Sequence, residues 1–294
     1  MNDEIKDGVL DGVQNEKRRA IIGAGAIGAA ALALNGRLVS AQPVTGVTKT
    51  ESTKNDLTER DITYKSGDAT IKAFYVEPNI KPKAAIIIIH EIFGLNVHIR
   101  DVARRFARQG YIALAPDLYT REGTPNLDIN NRGAIMEFIA SLSDTRIVGD
   151  LQAGITYLRG QDAQRVGSMG FCMGGLYSYL LATKSDDLDA AVTFYGRISY
   201  AEKTANKPES PLDLAPELKC PLLSNFGEND ASIPLNDVEK LRAGLAGSTQ
   251  PWKVNVYPGA GHAFFNDTRP SYHAAAAADA GTETLKFFKR HLKD

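Results

Sequence analysis

The chain has 294 residues, 43% of them hydrophobic, and its 34 basic and 35 acidic side chains nearly cancel to a net charge of −1. Neither sign forms a long run, so nothing in the charge pattern calls for a nucleic-acid partner. Only two cysteines occur, Cys172 and Cys220, too few for a disulfide framework, so the fold must be held by a buried core. The length suits one large α/β domain, because open α/β sheets often run past the usual domain size.

The N-terminus reads differently from the rest. A polar start ends in Lys17-Arg18-Arg19, an apolar Gly/Ala-rich stretch runs from Ala20 to Leu34, and Val39-Ser40-Ala41 supplies small residues for cleavage. That is the order of an export signal over residues 1–41. The Arg18-Arg19 pair before a weakly hydrophobic segment resembles a twin-arginine signal, although Glu16-Lys17 stands where a Ser or Thr is usual. It implies passage through twin-arginine export machinery to the periplasm or the exterior. The alternative is an uncleaved amphipathic or anchoring tail. A spanning helix is disfavoured because the apolar run is short, broken by glycine and asparagine, and followed by no second one.

From Gln42 to about Asn55 the chain is rich in Thr, Lys, Ser and Gly and reads as a linker, with the linker region drawn over 42–60 and the domain over 61–294. Asp61–Tyr64 and Thr70–Val76 flank Ser66-Gly67-Asp68 as a hairpin. Ala84–Ile89 is an unbroken apolar run, the pattern of a strand buried on both faces. Alternation follows: helix Arg100–Gln109, strand Tyr111–Ala115, helix Gly149–Leu158, strand Val166–Gly170, helix Gly174–Thr183, strands Ala190–Phe194 and Leu222–Phe226, helix Leu235–Leu245, strand Lys253–Tyr257 and helix Ala274–Leu292. Repeated β-α-β units predict an α/β fold, a mainly parallel sheet with helices on both faces.

Gly170-Phe171-Cys172-Met173-Gly174-Gly175 falls where a predicted buried strand meets a predicted helix. A nucleophile there sits on a sharp turn that needs small neighbours, and the following helix N-terminus favours thiolate and offers backbone N–H groups to an oxyanion. A buried structural cysteine is the plainer alternative. Asp230 follows the strand Leu222–Phe226 and His262 follows the strand Lys253–Tyr257, both at carboxyl ends, where open α/β sheets carry their sites. The order nucleophile, acid, histidine is that of an α/β-hydrolase: His262 can take and return a proton while Asp230 fixes its tautomer.

From about Asp61 onward the chain resembles the dienelactone hydrolase (carboxymethylenebutenolidase-like) family. The matching segments are His90-Glu91-Ile92-Phe93-Gly94-Leu95-Asn96, Ala115-Pro116-Asp117-Leu118-Tyr119, the Gly-Phe-Cys-Met-Gly-Gly elbow and Gly261-His262-Ala263-Phe264. The resemblance implies an α/β-hydrolase fold and a Cys-His-Asp triad that cleaves small esters or lactones, carboxylate-bearing ones above all, through an acyl-enzyme. It implies that Glu91 lies beside the resting thiol and helps control its ionisation, and that the backbone N–H groups of Met173 and Ile92 form the oxyanion hole. It also implies that Arg121 grips a substrate carboxylate and that Tyr195 is a pocket aromatic. The family's second arginine lies shortly after the histidine, whereas here the first one downstream is Arg269, beyond a longer Phe265-Asn266-Asp267-Thr268 loop. A general carboxylesterase, or a non-catalytic protein that kept the fold, are the competing readings.

No metal or other cofactor is expected. The five histidines are scattered without zinc spacing, and Gly23-Ala24-Gly25 to Gly28 imitates a dinucleotide fingerprint only within the export signal, with no strand before it. The signal reading carries its own test: protein purified from its source should begin near Gln42, and replacing Arg18 and Arg19 by Lys should block export. An intact N-terminus on a cytoplasmic protein would refute it.

Overall fold

A computed structural model describes residues 56–80, 82–125, 128 and 131–293; the expected export signal and the linker up to Asn55 lie outside the described residues. Strand β1 (Leu57–Ser66) pairs antiparallel with β2 (Ala69–Pro78), from Leu57↔Pro78 to Ser66↔Ala69. It therefore begins ahead of the expected Asp61. Its first residues are polar and mostly exposed because β1 is an edge strand, where charges protect the unpaired side. Glu59 pairs with Arg104 at 2.5 Å and Asp56 with Arg108 at 3.4 Å, so the end of the stretch that reads as linker by composition is tied to the domain.

Strand β3 (Ala84–Ile89) is no more than 2% exposed at any residue, as its unbroken apolar run predicts for a central parallel strand. Helix α1 (Val97–Arg108) follows, starting earlier than expected because the Asn96 side chain accepts the Ile99 N–H at 3.1 Å. Then come β4 (Ile112–Pro116), α2 (Arg132–Ser141), α3 (Asp144–Arg159), β5 (Arg165–Phe171), α4 (Met173–Lys184), β6 (Ala190–Phe194), β7 (Leu222–Gly227), α5 (Leu235–Leu245), β8 (Trp252–Tyr257) and α6 (Ala274–Phe288). The expected last helix stops at Phe288 and widens into a π turn over Lys289–Lys293. Helix α3 starts at Asp144, capped by Ser143. Helix α2 has no counterpart in the sequence reading. Its one fully buried described residue is Ile135, with Phe138 and Ile139 half-buried against the core.

The eight strands form one sheet in the order β1-β2-β4-β3-β5-β6-β7-β8, parallel from β4 to β8 and antiparallel at the β1-β2-β4 edge. Period-two geometry assigns the helices to faces. Gly154 of α3 packs toward Ile87 and Leu114, and Ser178 of α4 hydrogen-bonds Ser168, the lateral partner of Ile87. Gly167, on the opposite face, lies under Phe288 and Leu292. Helices α3 and α4 thus cover one face and α6 the other, the two-sided arrangement expected.

The chain leaves β3 for β4 on one side and returns for β5 on the other, so the strand order reverses between neighbours β3 and β5. Carboxyl ends that diverge in this way open a crevice, the usual place for a site in such sheets. Here Ile89 pairs with Gly170, so the loops beginning at His90 and Cys172 start side by side.

Helix α1 also anchors a loop from the far end of the chain: Arg105 Nη2 meets Asp267 Oδ2 at 2.7 Å, with the buried His98 Nδ1 3.5 Å from the same carboxylate. Burial pushes His98 down to about 4, the carboxylate of Asp267 pulling weakly the other way. Between pH about 6.5 and 4 the unfolded chain binds a proton that the folded chain refuses, so stability is complete above about 6.5 and falls as pH drops, on the order of 3 kcal/mol by pH 4. Denaturant titrations at a series of pH values should show this slope, and His98→Leu should flatten it.

Candidate active site

Cys172 is held at φ 53°, ψ −113°, between the last residue of β5 and the first of α4. A residue with a side chain adopts such a positive φ only where the surroundings demand it. The demand comes from backbone packed on backbone. A β-carbon at Gly170 would stand 1.8 Å from the Gly174 carbonyl oxygen, one at Gly174 would stand 2.2 Å from the Ile89 oxygen, and one at Gly175 2.7 Å from the Phe194 oxygen. The Cys172 N–H donates to the Phe194 oxygen at 3.0 Å, which pins the turn to β6. Its sulfur is thereby presented at the start of α4, where the first N–H groups of the helix have no carbonyl one turn earlier to bond.

Asp230 and His262 stand on the loops after β7 and β8, which touch: a β-carbon at Gly227 would lie 2.4 Å from the Ala260 oxygen, and the Asn229 N–H donates to that oxygen at 2.8 Å. Asp230, buried, takes the Ser232 N–H on Oδ1 at 2.8 Å and His262 Nδ1–H on Oδ2 at 2.8 Å. Burial works against protonation of His262, but the hydrogen bond and charge of Asp230 and the nearby Cys172 more than offset this and hold the imidazole up at about 10. Asp230 and His262 are thus joined, and Cys172 shares a cavity wall with His262.

They open into a cavity of about 620 Å³ whose walls include Glu91, Ile92, Met173, Tyr195 and Arg269. Glu91 is 2% exposed, and burial raises its carboxyl above the usual range while the Asn266 amide, donating at 2.8 Å, and the charges of Arg269 and His262 pull it back. Asn266 is itself fixed, its oxygen accepting the Thr268 N–H at 3.1 Å and hydroxyl at 2.6 Å. Arg269 does curl back into the site, its guanidinium 4.2 Å from the centre of the Phe93 ring. Tyr195, at φ 40°, packs edge-on against the His262 ring with centroids 5.2 Å apart.

Arg121 is the exception, and the expected role is corrected. It is absent from the cavity wall and bonds the Asp150 carboxylate in a fork, Nε to Oδ2 at 3.0 Å and Nη2 to Oδ1 at 2.9 Å. Its remaining donors reach Asp68 Oδ1 at 3.1 Å and the Ser66 carbonyl at 3.0 Å. A buried carboxylate two-pronged onto guanidinium outcompetes a solvated ligand for the same fork. The cavity offers another cation in its place, Arg197, which sequence reasoning missed; it is exposed and makes no ion pair among the described residues. Its one signal was its position just past Tyr195-Gly196. Asn266 was missed as well, because a single loop amide carries no pattern. Among the described residues no three His, Cys, Asp or Glu side chains are grouped as metal ligands are.

A cysteine on the turn after β5, an aspartate after β7 and a histidine after β8 on this sheet stand in the order and places of the α/β-hydrolase class. The dienelactone hydrolase family model matches residues 71–292. A protein of Escherichia coli (strain K12) assigned as a carboxymethylenebutenolidase is 40% identical over 212 residues, 71% of this chain and 78% of that one. A Bradyrhizobium protein assigned as a 2-oxo-3-(5-oxofuran-2-ylidene)propanoate lactonase is 34% identical over 211 residues, 71% of this chain and 84% of that one. A Klebsiella pneumoniae crystal structure assigned as a dienelactone hydrolase superposes with a TM-score of 0.76 at 34% identity, covering 80% of this chain and all of that one. The chain belongs to the dienelactone hydrolase family and is a carboxylic ester hydrolase.

The corrected place of Arg121 makes a prediction. Removing Arg121 strands the buried Asp150 carboxylate, so Arg121→Ala should cost on the order of 1 to 3 kcal/mol of stability. It should also lower activity on charged and neutral esters alike. Loss confined to acidic substrates, with an unchanged unfolding midpoint, would return Arg121 to the pocket.

Proposed function

We propose that the enzyme opens small lactones or esters that carry a carboxylate, through an acyl-enzyme on Cys172. The observation that carries the reading is the 2.8 Å bond between Asp230 and His262, with Cys172 and the same imidazole together on the wall of the cavity. The Cys172 thiolate attacks the carbonyl carbon, and the carbonyl π pair moves to oxygen, stabilised by the N–H groups of Met173 and Ile92. The tetrahedral species collapses, the C–O bond of the ester or ring breaks, and His262 gives its Nε2 proton to the departing alkoxide. A water then loses a proton to the neutral His262 and attacks the thioester, and cleavage of the C–S bond releases the acid and restores the thiolate–imidazolium pair. Asp230 holds Nδ1–H throughout, so Nε2 faces the reacting atoms.

Substrate charge is read from the cavity's cations. Arg269 and the unpaired Arg197 both line it, and a carboxylate brought into a largely apolar wall needs such a partner. The relative assigned as an oxofuran-ylidene propanoate lactonase is named for a substrate of that kind, an unsaturated lactone ring bearing a carboxylate. We infer further that Lys17–Ala41 directs export, so that this chemistry is performed outside the cytoplasm.

The test compares an acidic butenolide with its neutral methyl ester. Cys172→Ala should abolish turnover of both while leaving the fold intact, and Cys172→Ser should be poor. Arg269→Ala and Arg197→Ala should each lower kcat/KM for the acid by roughly 1.5 to 3 kcal/mol and leave the neutral ester nearly unchanged. Turnover at the normal rate by Cys172→Ala would sink the mechanism. Equal use of both substrates by the unmodified enzyme would make it a general carboxylesterase.

A further inference from the structure

His90 is fully buried, lies one residue from Glu91, and takes no part in the steps above. Its surroundings leave one tautomer. The Leu118 N–H donates to Nε2 at 3.1 Å, so Nε2 is an acceptor and the proton sits on Nδ1, which donates to the Glu91 carbonyl oxygen at 2.6 Å. That carbonyl belongs to the same peptide unit as the Ile92 N–H. In a planar trans peptide the C=O and N–H point in opposite directions, so holding the oxygen on one side aims the N–H at the other. The Gly94 N–H closes the Glu91–Gly94 turn onto the same oxygen at 3.2 Å, and the Tyr119 hydroxyl donates to the Ile92 oxygen at 3.0 Å, fixing the next peptide as well. The Tyr119 ring in turn packs edge-on to His90, centroids 4.9 Å apart.

We propose that His90 is a positioning residue for the oxyanion hole: through the Glu91–Ile92 peptide it aims the Ile92 N–H at the oxygen of the tetrahedral intermediate. The inference rests on the acyl-transfer reading above. A neutral imidazole suits the task, because it supplies one donor and one acceptor to two backbone groups without adding charge behind the nucleophile. Burial keeps it neutral, holding its titration below the usual histidine range. His90 touches neither thiol nor imidazole, so its loss should impair only the steps in which charge gathers on the carbonyl oxygen.

The experiment separates those steps from simple thiolate reactivity. A trifluoromethyl ketone adds the Cys172 sulfur to its carbonyl carbon and places the displaced π pair on oxygen, so its affinity reads the oxyanion hole. Iodoacetamide alkylates the same sulfur with departure of iodide and makes no oxyanion. His90→Leu should lower kcat by roughly 10²-fold with KM little changed, and should weaken trifluoromethyl ketone binding in proportion, since one oxyanion donor is worth about that much. Its alkylation rate should match that of the unmodified enzyme. His90→Asn places an N–H where Nδ1–H stands and should recover most of the lost kcat. Should His90→Leu fail to fold, 15N NMR of the unmodified enzyme decides: an Nδ1–H tautomer with unprotonated Nε2 supports the role, and an Nε2–H tautomer overturns it. Unchanged ketone affinity in His90→Leu, or loss of alkylation rate in step with kcat, would also overturn it. Failure of iodoacetamide to inactivate the unmodified enzyme would instead strike at the acyl-transfer reading itself.

Discussion

The rest of the site depends on how closely three pieces of backbone approach at the end of β5. The carbonyls of Ile89, Gly174 and Phe194 stand where β-carbons at positions 174, 170 and 175 would have to go. With side chains excluded there, α4 begins hard against the ends of β3 and β6, and Cys172 is forced into its left-handed conformation. The same proximity brings the His90 carbonyl to the first turn of α4, 2.7 Å from where a β-carbon at Gly174 would stand. The turn at Cys172 thus arises from one packing contact, which is why the elbow sets glycines around it.

The other half of the site is assembled from loops tied to each other more than to the sheet. Asn229 and Ala260 join the acid loop to the histidine loop, and Arg105 of α1 pulls Asp267 down while Asn266, its neighbour, reaches Glu91. Glu91 follows β3, so the chain of contacts closes a ring around the cavity from β3 through α1 to the loop after β8. Arg121 performs the equivalent task on the other edge. It binds the hairpin turn at Ser66 and Asp68 to α3 at Asp150, and a residue of the family's substrate-binding motif is thereby occupied in holding elements together.

Local signals were legible in the sequence because a local cause produces them. The run Ala84–Ile89 reads as a buried strand because it is short and its four consecutive isoleucines are β-branched. The elbow must turn, and Asp230 and His262 end strands that apolar periodicity defines. What could not be read is partner choice. Whether Arg121 meets a ligand or Asp150 is decided by residues far apart in the chain, and Asn266 or Arg197 gains significance only from what stands across a cavity. Helix α2 escaped for a different reason. Ile135, Met136 and Ile139 line the cavity, Ile139 touching the core as well, and a ten-residue helix repeats its apolar spacing too few times to stand out. The start of β1 was hidden too, where charged edge residues read as linker.

Backbone strain is concentrated at the chemistry. Five residues other than glycine hold a positive φ among the described residues, and Cys172, Tyr195 and Ala263 of these line the cavity. Each lies at or just past the carboxyl end of a strand in the parallel region or on the loop beyond it. Conformations of this kind cost on the order of 1–3 kcal/mol apiece, so they persist only where the surroundings leave no alternative. At Cys172 the surroundings are the glycine contacts and the bond to Phe194; at Tyr195 the N–H is held by the Asn225 carbonyl at 2.8 Å, while the ring packs among Phe171, Phe194 and Phe264. The buried aromatic layer beneath the site therefore does more than fill volume. It supplies the stability against which the turns at Cys172 and Tyr195 are held, and it places the Tyr195 ring against His262, backing the imidazole orientation in which Nδ1 meets Asp230.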